Sequence, residues 1–495
     1  MLKLSFNFLI LGFVAFFLSD IEVLTLDPWS EFSRLWNGII SPDFSEFSNY
    51  KNAIINTLSF AFCGISISVI LALPLAFFFN FRIIRYFCSF IRAIHEIFWA
   101  FIFLHIVGLN PVCGILAIAI PYSGIFAKIF AEIYQESDKK PLQNIPNYFG
   151  SINKFLYGIL PIIISDISFY TKYRLECAIR SSAILGFIGF PTLGFYLETA
   201  FREGNYSQAS MLLYVFFGVI FVLKYILKPT LVPFYILASF TFISFDINFS
   251  WENIIRFFTY EILPWPMRSQ GFYDQTYNVI FNPIEILIWA KEILLNEGTV
   301  GILNTVVLTQ MGLVATGLFT LLFSFLATRF FFGFIFTKMN HILLIVLRTT
   351  PEYVIAYILL QLWGPSMLPA VFAIFLHNGS ILAFLISDNL DKIKIRFDKS
   401  LYRLNLYFYE ILPRIFSQFL AFLFYRWEVI IRESAILGIL GISTLGFYID
   451  SAISDDQLDK AIFLILITAI LNMSIDSFSQ FIRKKYKVST KIIYS

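Results

Sequence analysis

The chain has 495 residues, of which 58% are hydrophobic and only 14% charged, with a mean hydropathy of +0.76. A soluble protein of this length needs far more polar surface, so the composition excludes a soluble globular enzyme and points to a polytopic membrane protein. The four cysteines (Cys63, Cys88, Cys113, Cys177), scattered without metal-ligand spacing, argue against a disulfide framework or zinc site; the net charge of +3 is uninformative as a total, and no nucleic-acid partner is expected.

About 20 mainly apolar residues cross a bilayer as a helix. In chain order such runs fall at 4–19, 56–79, 88–108, 112–131, 157–173, 208–226, 230–245, 303–326, 342–363, 367–387, 411–425 and 461–480. The expectation is an all-α fold of about twelve transmembrane helices. Two further apolar stretches, 182–200 and 434–450, are too broken by glycine to be simple spans. The first run follows Met1-Leu2-Lys3, and Phe16-Phe17-Leu18-Ser19-Asp20 is a poor cleavage site, so it reads as an uncleaved helix.

Charge gives an orientation. Segment 20–55 holds six acids against Arg34 and Lys51, and segment 246–300 holds seven against Arg256, Arg268 and Lys291. Basic residues gather at Arg82 and Arg85, at Lys139, Lys140 and Lys154, at Arg329 and Lys338, at Lys392, Lys394, Arg396, Lys399 and Arg403, and in the tail from Arg483 to Lys487. The positive-inside rule then places both termini in the cytoplasm and the two acidic segments outside. Trp29, Trp36, Trp251 and Trp265 lie in those outer segments, as interfacial aromatics do.

An internal repeat organises the chain. Ser182–Tyr196 reads SAILGFIGFPTLGFY and Ser434–Tyr448 reads SAILGILGISTLGFY, identical at eleven of fifteen positions. Arg174, Glu176 and Arg180 recur as Arg426, Glu428 and Arg432; Gly158-Ile-Leu-Pro161 recurs as Glu410-Ile-Leu-Pro413. Arg92, Glu96 and Gly108 recur as Arg348, Glu352 and Gly364, and Asn56-Thr57 as Asn304-Thr305. The chain therefore reads as two repeats, 1–228 and 229–495, with about six spans each. An even number makes the repeats parallel, related by an axis along the membrane normal, which favours a transporter or channel over a membrane enzyme.

Three groups of residues carry candidate function. Gly186, Gly189 and Gly194, with Gly438, Gly441 and Gly446, read either as a re-entrant or broken segment along the path or as close helix packing. Glu176 and Arg180, and Glu428 and Arg432, are i,i+4 pairs with Arg174 and Arg426 a turn earlier. Two arginines per glutamate suit an anion pathway, while structural ion pairing is the alternative. His377, in Phe375-Leu-His-Asn-Gly-Ser380, has Pro121 as its partner position in the first repeat; an intramembrane histidine is a functional candidate or a hydrogen-bonded packing residue, and without a second ligand in view no metal is expected. Glu96 and Glu352 read as i,i+4 partners of Arg92 and Arg348. The inward loops 132–156 and 388–408 begin at Glu132 and Asp388 and end before Pro161 and Pro413; no G-x-x-x-x-G-K-[ST] pattern occurs, so any ATP use must come from a partner.

Tyr425-Arg-Trp-Glu-Val-Ile-Ile-Arg-Glu-Ser-Ala-Ile-Leu-Gly438, with Gly441 and Gly446, resembles the signature of PhnE-type permeases, the membrane subunits of phosphonate ABC importers. Leu156-Tyr-Gly-Ile-Leu-Pro161, Gly124 to Glu132, and Ser41 to Phe47 followed by Asn56-Thr57 carry the same resemblance, which covers nearly the whole chain twice. It implies a MetI-like transmembrane fold fused in tandem, in an inner (plasma) membrane. The implied partners are a periplasmic substrate-binding protein and two copies of an ATP-binding cassette subunit gripping the cytoplasmic loops. It implies no cofactor in this chain. The family's coupling loop starts Glu-Ala-Ala, where this chain has Leu142-Gln143-Asn144 and Lys392-Ile-Lys394; Gly150 stands as the loop glycine in the first repeat, and the second loop is shorter and has none. Substrates implied are phosphonates, phosphite, phosphate or a thiamine-phosphate-like compound; an ATP-independent channel or secondary carrier is the alternative.

Overall fold

The computed structural model describes residues 2–140, 150–228, 231–243, 250–268, 282–328, 331–390 and 404–486. Arg329, Lys392, Lys394, Arg396, Lys399, Arg403 and Lys487, named above for orientation, lie outside the described residues, as do Leu142, Gln143 and Asn144.

Among the described residues the architecture is all-helical, as expected. The first half runs α1 (Leu2–Leu18), α2 (Pro28–Ile40), α3 (Lys51–Phe77), α4 (Arg82–Ala93), α5 (Glu96–Val107), α6 (Pro111–Glu136), α7 (Ser151–Lys154), α8 (Leu160–Ile184), α9 (Leu193–Arg202) and α10 (Tyr206–Ile226). The second runs α11 (Val232–Phe242), α12 (Trp251–Arg256), α13 (Pro283–Ile293), α14 (Thr299–Leu326), α15 (Phe334–Thr349), α16 (Glu352–Trp363), α17 (Met367–Leu390), α18 (Leu404–Leu406), α19 (Leu412–Ile439), α20 (Leu445–Ser454) and α21 (Leu458–Lys485).

Among the described residues, six helical stretches are long and apolar enough to cross a membrane, or nine if each of three bent pairs is one span, with α1 and α11 shorter apolar helices. The expected straight spans 88–108 and 342–363 are bent pairs: α4 and α5 meet at 90°, α15 and α16 at 94°. The cause is local. Ile94 is extended and the His95 side chain accepts the Ile97 amide, which starts a new helix. In the second half Pro351 has no N–H to donate and pushes Thr350 into an extended conformation. Both breaks fall between an arginine and the glutamate four residues on. The expected i,i+4 pairs Arg92/Glu96 and Arg348/Glu352 are therefore corrected: the partners sit on different helices. α19, at 28 residues, is long enough to span, but Arg414, Arg426, Glu428, Arg432 and Glu433 keep it out of the apolar set.

The chain forms two compact units, residues 34–261 and residues 1–33 with 262–495. Each is centred on one tight helix pair. In the first, α3 packs along α6, with Gly64 seated where an added Cβ would come within 2.8 Å of Ile118 Cγ2. In the second, α14 packs along α17, and a Cβ added to Gly312 would come within 2.7 Å of Ile374 Cγ2. Small residues at this seam bring the backbones together, which is how helices associate where lipid offers no hydrophobic drive. α8 flanks the first pair and α19 the second. Outward faces such as Ile70, Leu73 and Phe77 on α3, and Leu318 and Leu322 on α14, are exposed apolar surface suited to lipid.

The opening helix of each half is exchanged. α1 packs on α14, and α11 packs on α3. The strand of chain after α1 is fastened too: the Leu24 amide donates to the Trp363 carbonyl at 2.8 Å, and the Met367 amide to the Asp20 carbonyl at 3.0 Å. Within the acidic segment 20–55, α2 buries Leu35 and Gly38 and leaves Trp29 and Trp36 exposed.

Candidate functional site

The glycine segments form the same turn twice. α8 at 25 residues is about 37 Å long, enough to cross the hydrocarbon layer. It ends in a short 3-10 turn, Leu185–Ile188, and Gly189 then takes φ +99°; Gly441 takes φ +95° at the matching place. That left-handed conformation is one glycine adopts without steric cost. Gly186 and Gly194 face each other so closely that a Cβ on Gly194 would collide with the Ala183 carbonyl, and one on Gly446 with the Ala435 carbonyl. Gly186, Gly194, Gly438 and Gly446 are buried, Gly189 and Gly441 exposed. In the first half the chain bends by 55° from α8 into α9.

What holds each turn is the Asn-Thr pair. Asn56 Nδ2 donates to the Pro191 carbonyl at 3.0 Å, and Thr57 Oγ1 accepts the Leu193 amide at 2.9 Å. Asn304 Nδ2 donates to the Ser443 carbonyl at 2.7 Å, and Thr305 Oγ1 accepts the Leu445 amide at 3.0 Å. Those amides open α9 and α20, where no intrahelical acceptor exists, so the threonines act as caps supplied from another helix. A cavity of about 100 Å³ reaches the second turn, with Asp20, Asn304, Ser366, Gly441 and Ser443 in its lining. The Asp20 carboxylate makes it a poor place for an anion.

The charged motif lies on α8 and α19, ahead of each turn in the chain. Arg174, Glu176 and Arg180, and Arg426, Glu428 and Arg432, are all half-buried. Arg174 Nε donates to the Tyr170 hydroxyl at 2.7 Å, and its guanidinium lies 5.9, 5.3 and 5.8 Å from the ring centroids of Tyr122, Tyr170 and Tyr173. Among the described residues these partners are neutral, so they hold the cation by cation–π attraction without cancelling its charge. Arg180 Nη2 donates to Cys177 Sγ at 3.2 Å.

A polar node lies next to the motif in each unit. In the first, the Ser181 hydroxyl donates to Glu96 Oε1 at 2.6 Å and shares a 3.1 Å hydrogen bond with the Tyr122 hydroxyl. In the second, His377 Nε2 stands 3.6 Å from Glu352 Oε2, its Nδ1 lies 2.8 Å from the Thr350 carbonyl, and Asn378 Nδ2 donates to Glu433 Oε2 at 3.0 Å. Glu352, His377 and Glu433 bring one ligand atom each within 4.8 Å of one another. Two carboxylates held at that distance repel by about 3.5 kcal/mol at an effective dielectric of 20. The expectation that His377 has no companion ligand is thus corrected. Glu433 was passed over because it hides in the repeat: Arg180-Ser181-Ser182 becomes Arg432-Glu433-Ser434, a departure visible in the sequence. Thr57 and Thr305 were visible only as matching letters.

The loop ends also match. α6 continues to Glu136, so Glu132 is helical and exposed; Gly150 is exposed before α7. Pro161 and Pro413 sit in the first turns of α8 and α19, each preceded by a π-turn, with the Leu160 amide donating to the Phe155 carbonyl and the Leu412 amide to the Tyr407 carbonyl. Proline clashes with the carbonyl four residues back, and the wider i→i+5 turn relieves it. Asp388 is exposed on the last turn of α17.

Bilayer-length apolar helices and a glycine turn that recurs in both halves of the sequence mark a multi-pass membrane protein of the permease class. Residues 320–488 match the family described as "Binding-protein-dependent transport system inner membrane component". The chain is 21% identical over 501 residues to the phosphate-import permease protein PhnE of Mycolicibacterium smegmatis, covering 93% of this chain and 90% of that one. It is 25% identical over 189 residues to the phosphite transport system permease protein PtxC of Stutzerimonas stutzeri, covering 36% and 69% of the two chains. A putative phosphite permease of the same organism, HtxC, is 27% identical over 194 residues, covering 37% and 68%. No solved structure matches the chain.

Proposed function

We propose that this chain supplies both halves of the permease of an ABC importer for a phosphorus oxyanion of the phosphate, phosphite or phosphonate class. The observation that carries this reading is the near full-length alignment with a phosphate-import permease, both repeats included. Residues 1–228 and 229–495 act as the two permease repeats, where relatives such as the phosphite permeases align with a shorter stretch. A separate ATPase subunit, in two copies, engages the segments that follow Glu132 and Asp388, and a binding protein delivers the anion from outside. Both termini are cytoplasmic.

Arg180 and Arg432, with Arg174 and Arg426, offer the anion positive charge in a low-dielectric setting, where a guanidinium fork matches two oxygens of a tetrahedral oxyanion. The paired glycine turns supply the hinge of a gate, since a left-handed glycine next to a collision-tight crossing allows two discrete arrangements and few between. Reconstituted vesicles holding the complete complex test the reading: labelled phosphate, phosphite or methylphosphonate enters only when the ATPase subunit is present and ATP is supplied. Uptake that persists without the ATPase subunit sinks it. The double variant Arg180→Gln with Arg432→Gln should abolish uptake while the complex still assembles; normal uptake by it removes the arginines from the pathway.

A further inference from the structure

We propose that Glu352, His377 and Glu433 bind a divalent transition-metal ion of the zinc class, which ties α16, α17 and α19 together inside the second compact unit. The three donors come from three helices, and their ligand atoms lie within 4.8 Å of one another. Glu352 is 8% and His377 2% exposed. This inference does not depend on which substrate is carried.

The hydrogen bonding of His377 selects its tautomer. A carbonyl only accepts, so Nδ1, 2.8 Å from the Thr350 oxygen, carries the proton. That leaves a lone pair on Nε2 in the neutral ring. Nε2 and Glu352 Oε2 are then two electron-pair donors facing each other at 3.6 Å. The distance is too long for a hydrogen bond. It is the spacing expected of two ligands around one small ion, since tetrahedral bonds of 2.0–2.2 Å separate ligand atoms by roughly 3.3–3.6 Å.

The surroundings are those of a metal site. Ligating histidines usually donate the remote ring N–H to a carbonyl or carboxylate, and ligating carboxylates are hydrogen-bonded in turn; here the Thr350 carbonyl and Asn378 Nδ2 play those parts. Asn378 is fully buried, and among the described residues its Oδ1 has no hydrogen-bond partner. Bonded to Glu433 through its nitrogen, this side chain brings a spare acceptor oxygen beside the trio, fit to complete the coordination or to hold a metal-bound water. One imidazole and two carboxylates suit zinc, manganese or ferrous ions over the softer thiolate-seeking ones. Two carboxylate charges match a dication.

The first repeat shows what the position looks like without the ion. Pro121 and Ser181 replace His377 and Glu433, and Glu96 is satisfied by the Ser181 hydroxyl. One site per chain is therefore expected. Its place at the α15–α16 bend gives it a role: Thr350 ends one helix, Glu352 begins the next, and both are held through His377.

The test is metal analysis of the full-length chain, purified in detergent, freed of any affinity tag, equilibrated with zinc and dialysed against metal-free buffer. About one zinc per chain is expected, falling at least tenfold in Glu433→Ser, which copies the first repeat, and in His377→Gln, while Glu410→Gln retains it. Replacement by Co²⁺ should give the visible absorption of a low-coordinate N,O site, lost in the same two variants. Wild-type protein holding less than about a tenth of an equivalent overturns the proposal, whatever the variants do, and leaves a His377 imidazolium shared between the carboxylates. Full zinc retention in both variants overturns it equally, by placing the metal elsewhere.

Discussion

Thr57→Val removes one oxygen from the clamp on the first glycine turn and keeps the shape of the side chain. The Leu193 amide then loses its acceptor at 2.9 Å. Leu193 is 2% exposed and opens α9, so neither water nor the helix can supply another. Leaving a buried N–H unsatisfied costs about 1–3 kcal/mol. The hydroxyl's own bond to the Ala53 carbonyl, 2.7 Å, is lost as well, but that carbonyl keeps its helical partner, so the amide dominates. Thr57→Ser keeps the oxygen and should lose under about 1 kcal/mol, for one buried methyl. Thr305→Val removes the same bond to Leu445 in the other compact unit, so the two losses should add. Denaturant-induced unfolding of the detergent-solubilised chain measures the totals, and hydrogen exchange of peptides spanning 190–196 and 442–448 locates them. A Thr57→Val protein with unchanged stability and unchanged protection at 190–196 would falsify the claim that this hydroxyl caps the turn.

Three further expectations follow from contacts already described. Gly194→Ala and Gly446→Ala drive a Cβ into a carbonyl and should destabilise by about 1–3 kcal/mol or more, whereas Gly150→Ala and Gly218→Ala meet nothing within 4 Å and should leave expression and stability unchanged; equal effects in both sets contradict the reading of the turn. Gly189→Ala adds a left-handed alanine at φ +99° and should cost about 1–2 kcal/mol through backbone strain alone. Deleting residues 1–19 removes the helix packed on α14, so limited proteolysis should open 299–326 before 51–77; the reverse order refutes the exchanged packing.

The sequence was readable where a pattern is local. The helical class followed from apolar runs, and the turn at 186–194 from glycines that recur at 438–446. The kinks at 94–95 and 350–351 were not readable from hydropathy, because the apolar run continues straight through both and one histidine or proline decides the geometry. The exchange of α1 and α11 leaves no trace in composition, since an apolar helix shows nothing of the partner it will choose. The Glu352–His377–Glu433 trio was hidden for another reason: its members lie 25 and 56 residues apart, and only the packing of three helices joins them. The role of Thr57 was missed in the same way, as the turn it caps begins more than 120 residues later.

The exchange of opening helices sets a timetable for synthesis. Gly12 rests against Val314, so α1 leaves the ribosome about 300 residues before the helix that will cover it. At 5–20 residues per second that is a wait of roughly 15–60 s. During it, α1 can meet only lipid, chaperones or the insertion machinery, and its first apolar neighbours are not its final ones. α11, by contrast, is made after α3 and finds its groove finished. The nascent chain thus completes the interior of its first unit while still carrying an unclaimed end, and closes the second by fetching back the residues it made first.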